Sequence, residues 1–572
     1  MTDIDCGKWL AGGLLLLLSA LFQAMAAGGT PIEHVVIIMQ ENRSFDTYFG
    51  TFPNANGFLA GTCVPLDPAN PGMGCIIPFH DRHDLNAGGP HGAPTAKIDI
   101  DDGITFAKMD GFVYAQATAV SGCVIARGQK VIPQYCNQSP AGVARHDAVG
   151  YHTDAEIPNY WSYARHFVLQ DQMYEGVRGF STDAHLDLTS EWSANCKTKG
   201  VLSTCRSTLA AAAPGLNTYP WVNLFQLLDI NNVNWKYYLG TGTEPDCEDG
   251  EMTCEPQEQS SGLESFWNPA PGFTWVQQKG AAYLASHNPQ IDQFLVDIKN
   301  GVLPQVSWVV PADSFSEHPG NGITAGMEYV TSLVNAVMQS PYWQNTVIYV
   351  TWDDWGGFYD HVVPPIVDRN GSKTTPVQGF GLRVPGLMIS AYAKPGKIDH
   401  SVLSFDSYAT LIENLFLART RLDPVAMGQP DARPDVRDSL TSVTFMDGTT
   451  APIGDLLDEF DFRRTPLPPL VLSTHIPVDI NVACGSKRVG FPEKCKTSSV
   501  QISWKSLESP QVPGPFNVEV FRDDSASPVC SSVSTACVDN TPGKGVHYYV
   551  LRSVDVSGII SPASAAAEAD VP

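Results

Sequence analysis

Two short apolar runs, each closed by an acidic loop, constrain this chain more than any other feature. His34 to Gln40 (HVVIIMQ) ends in Glu41-Asn42-Arg43-Ser44-Phe45-Asp46, and Thr346 to Trp352 (TVIYVTW) ends in Asp353-Asp354-Trp355-Gly356-Gly357-Phe358-Tyr359-Asp360-His361. Runs without polar alternation read as strands buried on both faces, the condition of a parallel sheet covered by helices. In open α/β sheets the ligand crevice lies beyond the carboxyl ends of the strands, so two carboxylate-rich loops placed there converge on one site. Glu41, Asn42, Asp353 and Asp354 are hard oxygen ligands suited to a divalent cation. A solvated acidic turn is the competing reading for Asp353 and Asp354, and the flanking Trp352 and Trp355 argue against it.

The rest of the first 420 residues fits an α/β fold class with a central, mostly parallel sheet. His166 to Met173 reads as a strand, followed by a loosely helical pattern from Thr182 (Ala184, Leu186, Leu188, Trp192) with Ser181 or Thr182 as N-cap and Asp183 in the first turn. Val306 to Val310 is a strand, and Met327, Val330, Val334 and Val337 recur at helical spacing until Pro341 stops them. With Thr346 to Trp352 this makes a strand, helix, strand crossover between parallel strands. Val384 to Ser390 adds a strand and Phe405 to Leu417 a helix. Residues 53–110 are rich in Gly, Pro, Asn and Asp and read as long irregular excursions that shape a pocket.

After Pro466, Pro468 and Pro469 the pattern changes to alternating strands: Ser499 to Trp504, Phe516 to Phe521 and Tyr548 to Val554. Their order resembles a fibronectin type III-like sandwich with Trp504 as its core aromatic. The expected division is a signal peptide over 1–26, a catalytic domain over 31–465 and a small all-β domain over 473–572.

The leader is read from Leu14 to Leu18 and the small-residue pattern Ala24-Met25-Ala26 after an apolar region too short to span a bilayer. It implies a secreted or periplasmic protein. Of thirteen cysteines, removal of Cys6 with the leader leaves twelve, in six sequence-adjacent pairs: Cys63 and Cys75, Cys123 and Cys136, Cys196 and Cys205, Cys247 and Cys254, Cys484 and Cys495, Cys530 and Cys537. No pair has C-x-x-C spacing and no histidine recurs at zinc-site distances, which favours local disulfides over zinc. Sixty acidic against 35 basic residues give a net charge of -25. Such a chain is repelled by nucleic acid and by anionic membrane surfaces. It captures a zwitterionic or small anionic substrate locally.

HVVIIMQENRSFDTYFGTFP, KMDGFV (Lys108 to Val113), SEHPGNG (Ser316 to Gly322) and WDDWGGFYDHV (Trp352 to Val362) occur in that order. Over roughly residues 31–420 the chain resembles the bacterial phosphoesterase family of phospholipases C and acid phosphatases, within the alkaline-phosphatase-like superfamily. The resemblance implies an alkaline-phosphatase-like α/β sandwich and a divalent metal ion (calcium, zinc, magnesium, manganese or iron) held by Glu41, Asn42, Asp353 and Asp354. It implies Ser181, in Gly179-Phe180-Ser181, as a nucleophile that also touches the metal and passes through a phosphoseryl intermediate; Thr182 and Ser190 are the rival hydroxyls. Family members commonly continue with Pro-Asn and then Arg or His, whereas here Thr182-Asp183-Ala184-His185 follows, with His185 in the last place. His91 and His318 match histidines that contact the phosphoryl group or protonate the leaving alkoxide, and His361 follows the Asp-Asp loop closely enough to join them. Asp360 either orients His361 or caps a turn.

Hydrolysis of a phosphate ester needs an electrophile for the non-bridging oxygens, an in-line nucleophile and a proton for the leaving group, and each role has a candidate here. The reading is a secreted metal-dependent phosphoesterase acting on a phospholipid or small phosphate ester, with transient membrane-surface contact, no nucleic acid and no obligate protein partner. Phospholipase C on choline phospholipids is preferred over acid phosphatase on phosphomonoesters. A non-enzymatic surface-binding protein is disfavoured because the metal and hydroxyl residues are all retained.

Overall fold

The computed structural model describes residues 30–571 apart from 87, 102–107, 122–146, 195, 199, 207–217, 246–256, 366–378, 434–436, 438–439, 446–447, 484–487, 490–498, 506–515 and 555–559. The leader over 1–26 and the pairs Cys123 with Cys136, Cys247 with Cys254 and Cys484 with Cys495 lie outside the described residues. The other three pairs are disulfides, Cys63–Cys75, Cys196–Cys205 and Cys530–Cys537. Among the described residues no helix is long and apolar enough to cross a membrane.

Seven strands make the central sheet: β1 (His34–Gln40), β2 (Val168–Gln170), β3 (Trp235–Leu239), β4 (Val306–Val310), β5 (Thr346–Trp352), β6 (Gly386–Ser390) and β7 (Lys397–Asp399). Their spatial order is β7-β2-β6-β5-β1-β4-β3. Every pairing is parallel except the two made by β6. The fold class is therefore the expected one, α/β with a central, mostly parallel sheet. All residues of β4, β5 and β6 are buried, as the unbroken apolar runs require. The crossover from β4 to β5 runs through α2 (Ile323–Met338), which follows α1 (Ser181–Ser190) and precedes α3 (Phe405–Phe416). Met327, Val330, Val334 and Val337 of α2 are all buried in the main core, each contributing roughly 1.5–3 kcal/mol.

Two local expectations change. The stretch from His166 to Met173 is not one strand, because a helix over Pro158–His166 runs into it and closes with the Phe167 N–H on the Tyr163 carbonyl. What remains is β2 and a two-residue strand, Met173–Tyr174. The N-cap of α1 is Phe180, not Ser181 or Thr182, and Ser181 is the first helical residue. Its hydroxyl donates to Glu41 Oε2 at 3.0 Å, which aims the side chain at the acidic loops.

Beyond residue 477 two antiparallel four-stranded sheets appear. Val500, Ile502 and Trp504 of one meet Val518, Val520, Tyr549 and Leu551 of the other in a second core. Cys530 and Cys537 lie on strands of different sheets, so their disulfide joins the two. The proline-rich segment before them is bound to the α/β unit: the Leu467 N–H donates to the Ala391 carbonyl (2.7 Å) and Trp343 Nε1 to the Leu467 carbonyl (2.8 Å). The C-terminal part also reaches the loop that caps α2. The Ala566 N–H donates to the Arg82 carbonyl (2.6 Å), and Asp84 Oδ1 accepts from the Thr324 N–H of α2 (2.9 Å).

Candidate active site

The ends of three adjacent parallel strands build the site. The register pairs Gln40 with Trp352, so Glu41 and Asp353 leave the sheet side by side. The Asp353 N–H extends the ladder to the Gln40 carbonyl (2.9 Å), and the Glu41 N–H donates to the Ser316 carbonyl (2.9 Å) in the loop after β4. Asn42, at φ 57°, turns the chain sharply in the left-handed region that Asn tolerates. Its amide nitrogen then donates to both oxygens of Asp354 (3.1 and 3.2 Å) while its backbone N–H donates to Asp353 Oδ1 (2.9 Å). Gly356 (φ 61°) and Gly357 (φ 70°) allow the close approach of the loops: a Cβ on Gly356 would sit 2.6 Å from the Asn42 carbonyl oxygen, and one on Gly357 2.3 Å from the Gly89 Cα.

Ser181 is brought to this pair of loops by α1. Its Oγ lies 3.0 Å from Glu41 Oε2 and 3.5 Å from Asp354 Oδ2. One helical turn on, His185 Nε2 lies 3.1 Å from the other oxygen of the same carboxylate, Glu41 Oε1. Ligand atoms of Glu41, His185 and Asp353 fall within 4.8 Å of one another. Glu41, Asn42, Ser181, His185, Asp353 and Asp354 are all completely buried.

Three buried carboxyl groups packed together suit a cation, since a buried anionic charge is costly unless it is compensated. The field is visible on a fourth acid: burial first, then the charges of Asp354 and Asp353, hold Glu175 well above the usual carboxylate range. Asn42 Oδ1 and Asp353 Oδ2 are buried acceptors without a hydrogen-bond donor, although their other polar atoms are satisfied. Oxygens left over in that way fit a hard divalent cation.

His91 and His318 face each other edge to plane, ring centroids 5.6 Å apart. His91 Nδ1 donates to the Gly89 carbonyl (3.0 Å) and His318 Nδ1 to the Pro319 carbonyl (3.2 Å), which fixes Nδ1 as a protonated nitrogen of each ring. The His91 loop is tied to the Asp-Asp loop by the Gly89 N–H on the Gly356 carbonyl (2.8 Å). His361 stands apart from this set. Its Nδ1 bonds Asp46 Oδ2 (2.7 Å), beside the guanidinium of Arg383. Arg383 also binds Asp46 (3.0 Å) and Asp360 (3.0 Å), filling with its own charge the space that three clustered ligands would otherwise offer to an ion. Asp360 accepts from Arg383 and from the Val362 N–H, so it both pairs and caps, and it makes no hydrogen bond to His361.

Glu175, Tyr237 and Glu317 escaped the sequence reading. Glu317 sits inside the quoted SEHPGNG block, where only His318 attracted notice. Its carboxylate is buried and accepts from Tyr48 (2.5 Å), Tyr160 (2.5 Å) and Trp352 (3.1 Å), and its backbone is held at φ 68°. It is thereby the anchor of the loop that carries His318. Tyr237 lies on β3, a strand without a motif.

The Phosphoesterase family model matches residues 32–417. Among curated relatives, a non-hemolytic phospholipase C of Burkholderia pseudomallei is 26% identical over 422 residues, 67% of this chain and 55% of that one. Phospholipase C B of Mycobacterium tuberculosis is 26% identical over 405 residues, covering 68% of this chain and 74% of its own length. This chain therefore spans little more than half of the first relative. Among solved structures, a protein in the alkaline phosphatase superfamily from Vibrio parahaemolyticus aligns with a TM-score of 0.26 at 12% identity, over 55% of this chain and 76% of that one, a likeness too slight to carry argument. The family match spans more than half of the sequence and takes in both acidic loops, Ser181 and the facing histidines, and on that ground the chain belongs to the Phosphoesterase family.

Proposed function

We propose that this hydrolase is a secreted, metal-dependent phospholipase C that cleaves the phosphodiester of choline phospholipids through a phosphoseryl intermediate. The observation that carries the reading is the placement of Ser181 at the first position of α1, 3.0 Å from Glu41 Oε2 and 3.5 Å from Asp354 Oδ2, beside buried oxygens that suit a cation. Glu41, Asn42, Asp353, Asp354 and the Ser181 oxygen would hold the metal. When bound, the cation neutralises the non-bridging phosphoryl oxygens and lowers the pKa of the serine hydroxyl.

The chain's own groups account for the remaining steps. Glu41 orients the Ser181 hydroxyl and accepts its proton as Oγ attacks phosphorus, and the amino-terminal dipole of α1 favours the developing charge. The phosphorus–oxygen bond to the glycerol breaks, and the alkoxide leaves as diacylglycerol with a proton from Nε2 of His91 or His318. Water then cleaves the phosphoserine and releases the phosphorylated head group. The relatives' names support a phospholipid substrate, and the disulfides support an oxidising compartment.

Ser181→Ala should lower turnover of p-nitrophenyl phosphorylcholine by on the order of 10⁴ or more, with the fold unchanged and, at saturating metal, the ion still held by Glu41, Asn42, Asp353 and Asp354. Acid-quenched wild type should yield a phosphoserine peptide at residue 181. A variant that keeps more than about one per cent of the rate would dismiss Ser181 as nucleophile. Preference for p-nitrophenyl phosphate over both phosphatidylcholine and p-nitrophenyl phosphorylcholine would make the protein a phosphomonoesterase instead.

A further inference from the structure

We propose that His185 is itself a metal ligand and sets which metal the site takes, favouring a borderline ion such as Zn²⁺ over Ca²⁺. The inference rests on the metal-dependent reading above and goes beyond its all-oxygen ligand set.

The orientation of the imidazole follows from a chain of hydrogen bonds. The Tyr237 hydroxyl donates its one proton to the Trp267 carbonyl (2.7 Å), so its oxygen accepts from His185 Nδ1 (3.0 Å). With Nδ1 committed as donor, Nε2 is the nitrogen turned towards Glu41 Oε1 (3.1 Å) and lies within 4.8 Å of a ligand oxygen of Asp353. An Nε2 lone pair facing carboxylate oxygens is repelled by them unless a cation stands among the three. Outer-sphere support of Nδ1 by a hydroxyl or carbonyl is how proteins fix the tautomer of a ligating histidine. Ser181 and His185 are four residues apart on α1 and share one face, and they address the two oxygens of the same Glu41 carboxylate. The helix thus presents a hydroxyl and an imidazole to one metal position.

The competing arrangement is a buried imidazolium paired with Glu41. It adds a proton but leaves the donorless Asp353 Oδ2 unexplained, whereas a cation among the clustered ligand atoms of Glu41, His185 and Asp353 compensates all three groups. The choice has a chemical consequence. Calcium takes oxygen ligands almost exclusively, whereas imidazole suits zinc, copper and iron, so a nitrogen in the set shifts selectivity away from calcium.

The full-length protein, stripped by chelation, would be titrated with Zn²⁺ and with Ca²⁺ and, separately, loaded with Cu²⁺ for pulsed paramagnetic resonance. The wild type should show the distal-nitrogen modulation of a coordinated imidazole. His185→Gln should lose that signal, and its Zn²⁺ affinity should fall about a hundredfold while Ca²⁺ affinity stays within about threefold. Tyr237→Phe keeps the ligand but removes its support, so the signal should persist with Zn²⁺ bound about tenfold more weakly. Wild-type protein that binds Cu²⁺ without the imidazole signal overturns the proposal, and so does a His185→Gln protein with the signal and the Zn²⁺ to Ca²⁺ ratio intact. Failure of the wild type to bind any of the three ions would instead strike the metal-dependent reading of the whole site.

Discussion

Glu317 offers the sharpest link between pH and stability. Burial pushes its carboxyl up from 4.5 to about 7, against the opposing hydrogen bonds of Tyr160, Tyr48 and Trp352 and the nearby charge of Arg43. A folded-state pKa above the unfolded value means that the native protein holds the proton more tightly than the unfolded chain. The associated stability is full below pH 4.5 and is lost as pH rises through about 7. A shift from 4.5 to about 7 corresponds to about 3 kcal/mol. Glu317→Gln carries no ionisation. At acid pH the variant should be less stable by about 1–2 kcal/mol, because one amide oxygen replaces two carboxyl oxygens beneath two tyrosine hydroxyls. As pH rises through the window the wild type should lose about 3 kcal/mol relative to the variant, so that the two curves cross. Urea unfolding at closely spaced pH values measures both profiles. If they run parallel across that window, Glu317 does not titrate in the fold and the assigned burial cost is wrong.

Arg383→Met should destabilise the protein by about 3–5 kcal/mol, because it strands Asp46 and Asp360 as buried carboxylates; Asp360, already pushed up to about 6 chiefly by burial, should then titrate higher still, which carboxyl chemical shifts would register. Asp360→Asn combined with Arg383→Met should recover part of that loss, and an additive double variant would show that the pair is not coupled. Replacing Cys63 and Cys75 by serine opens a loop of sequence separation 12 and should lower stability by about 3 kcal/mol on the chain-entropy account, an effect that a thermal melt resolves. Non-reducing peptide mapping should also find Cys196 joined to Cys205 and Cys530 to Cys537.

The parts of this fold that sequence made legible are those where one physical demand acts on consecutive residues. β1 and β5 appear with the expected bounds because a strand buried on both faces must be apolar throughout, and α2 because a face packed on a sheet repeats at helical spacing. β7 is hidden, having three residues and lying at the sheet edge, and β2 reads only as the middle of a longer strand over His166 to Met173, because so short a piece leaves its bounds without a pattern. The site divides along the same line. Glu41, Asn42, Asp353 and Asp354 stand next to strand ends, so their convergence followed from topology alone. His185, His361 and Glu317 depend on partners 144, 315 and 269 residues away in sequence, and no local pattern records such a pairing. His361 is the instructive instance. Its nearness in sequence to Asp353 and Asp354 suggested a shared site, yet Gly356 and Gly357 turn the chain so tightly that the histidine emerges beside Asp46 and Arg383. Arg383 belongs to none of the four motif blocks, and its buried guanidinium neutralises Asp46 and Asp360 from within, so that this second acidic cluster carries its own cation. Which acidic cluster is neutralised by an arginine is therefore decided by residues remote in sequence, and only the three-dimensional pairing distinguishes the two.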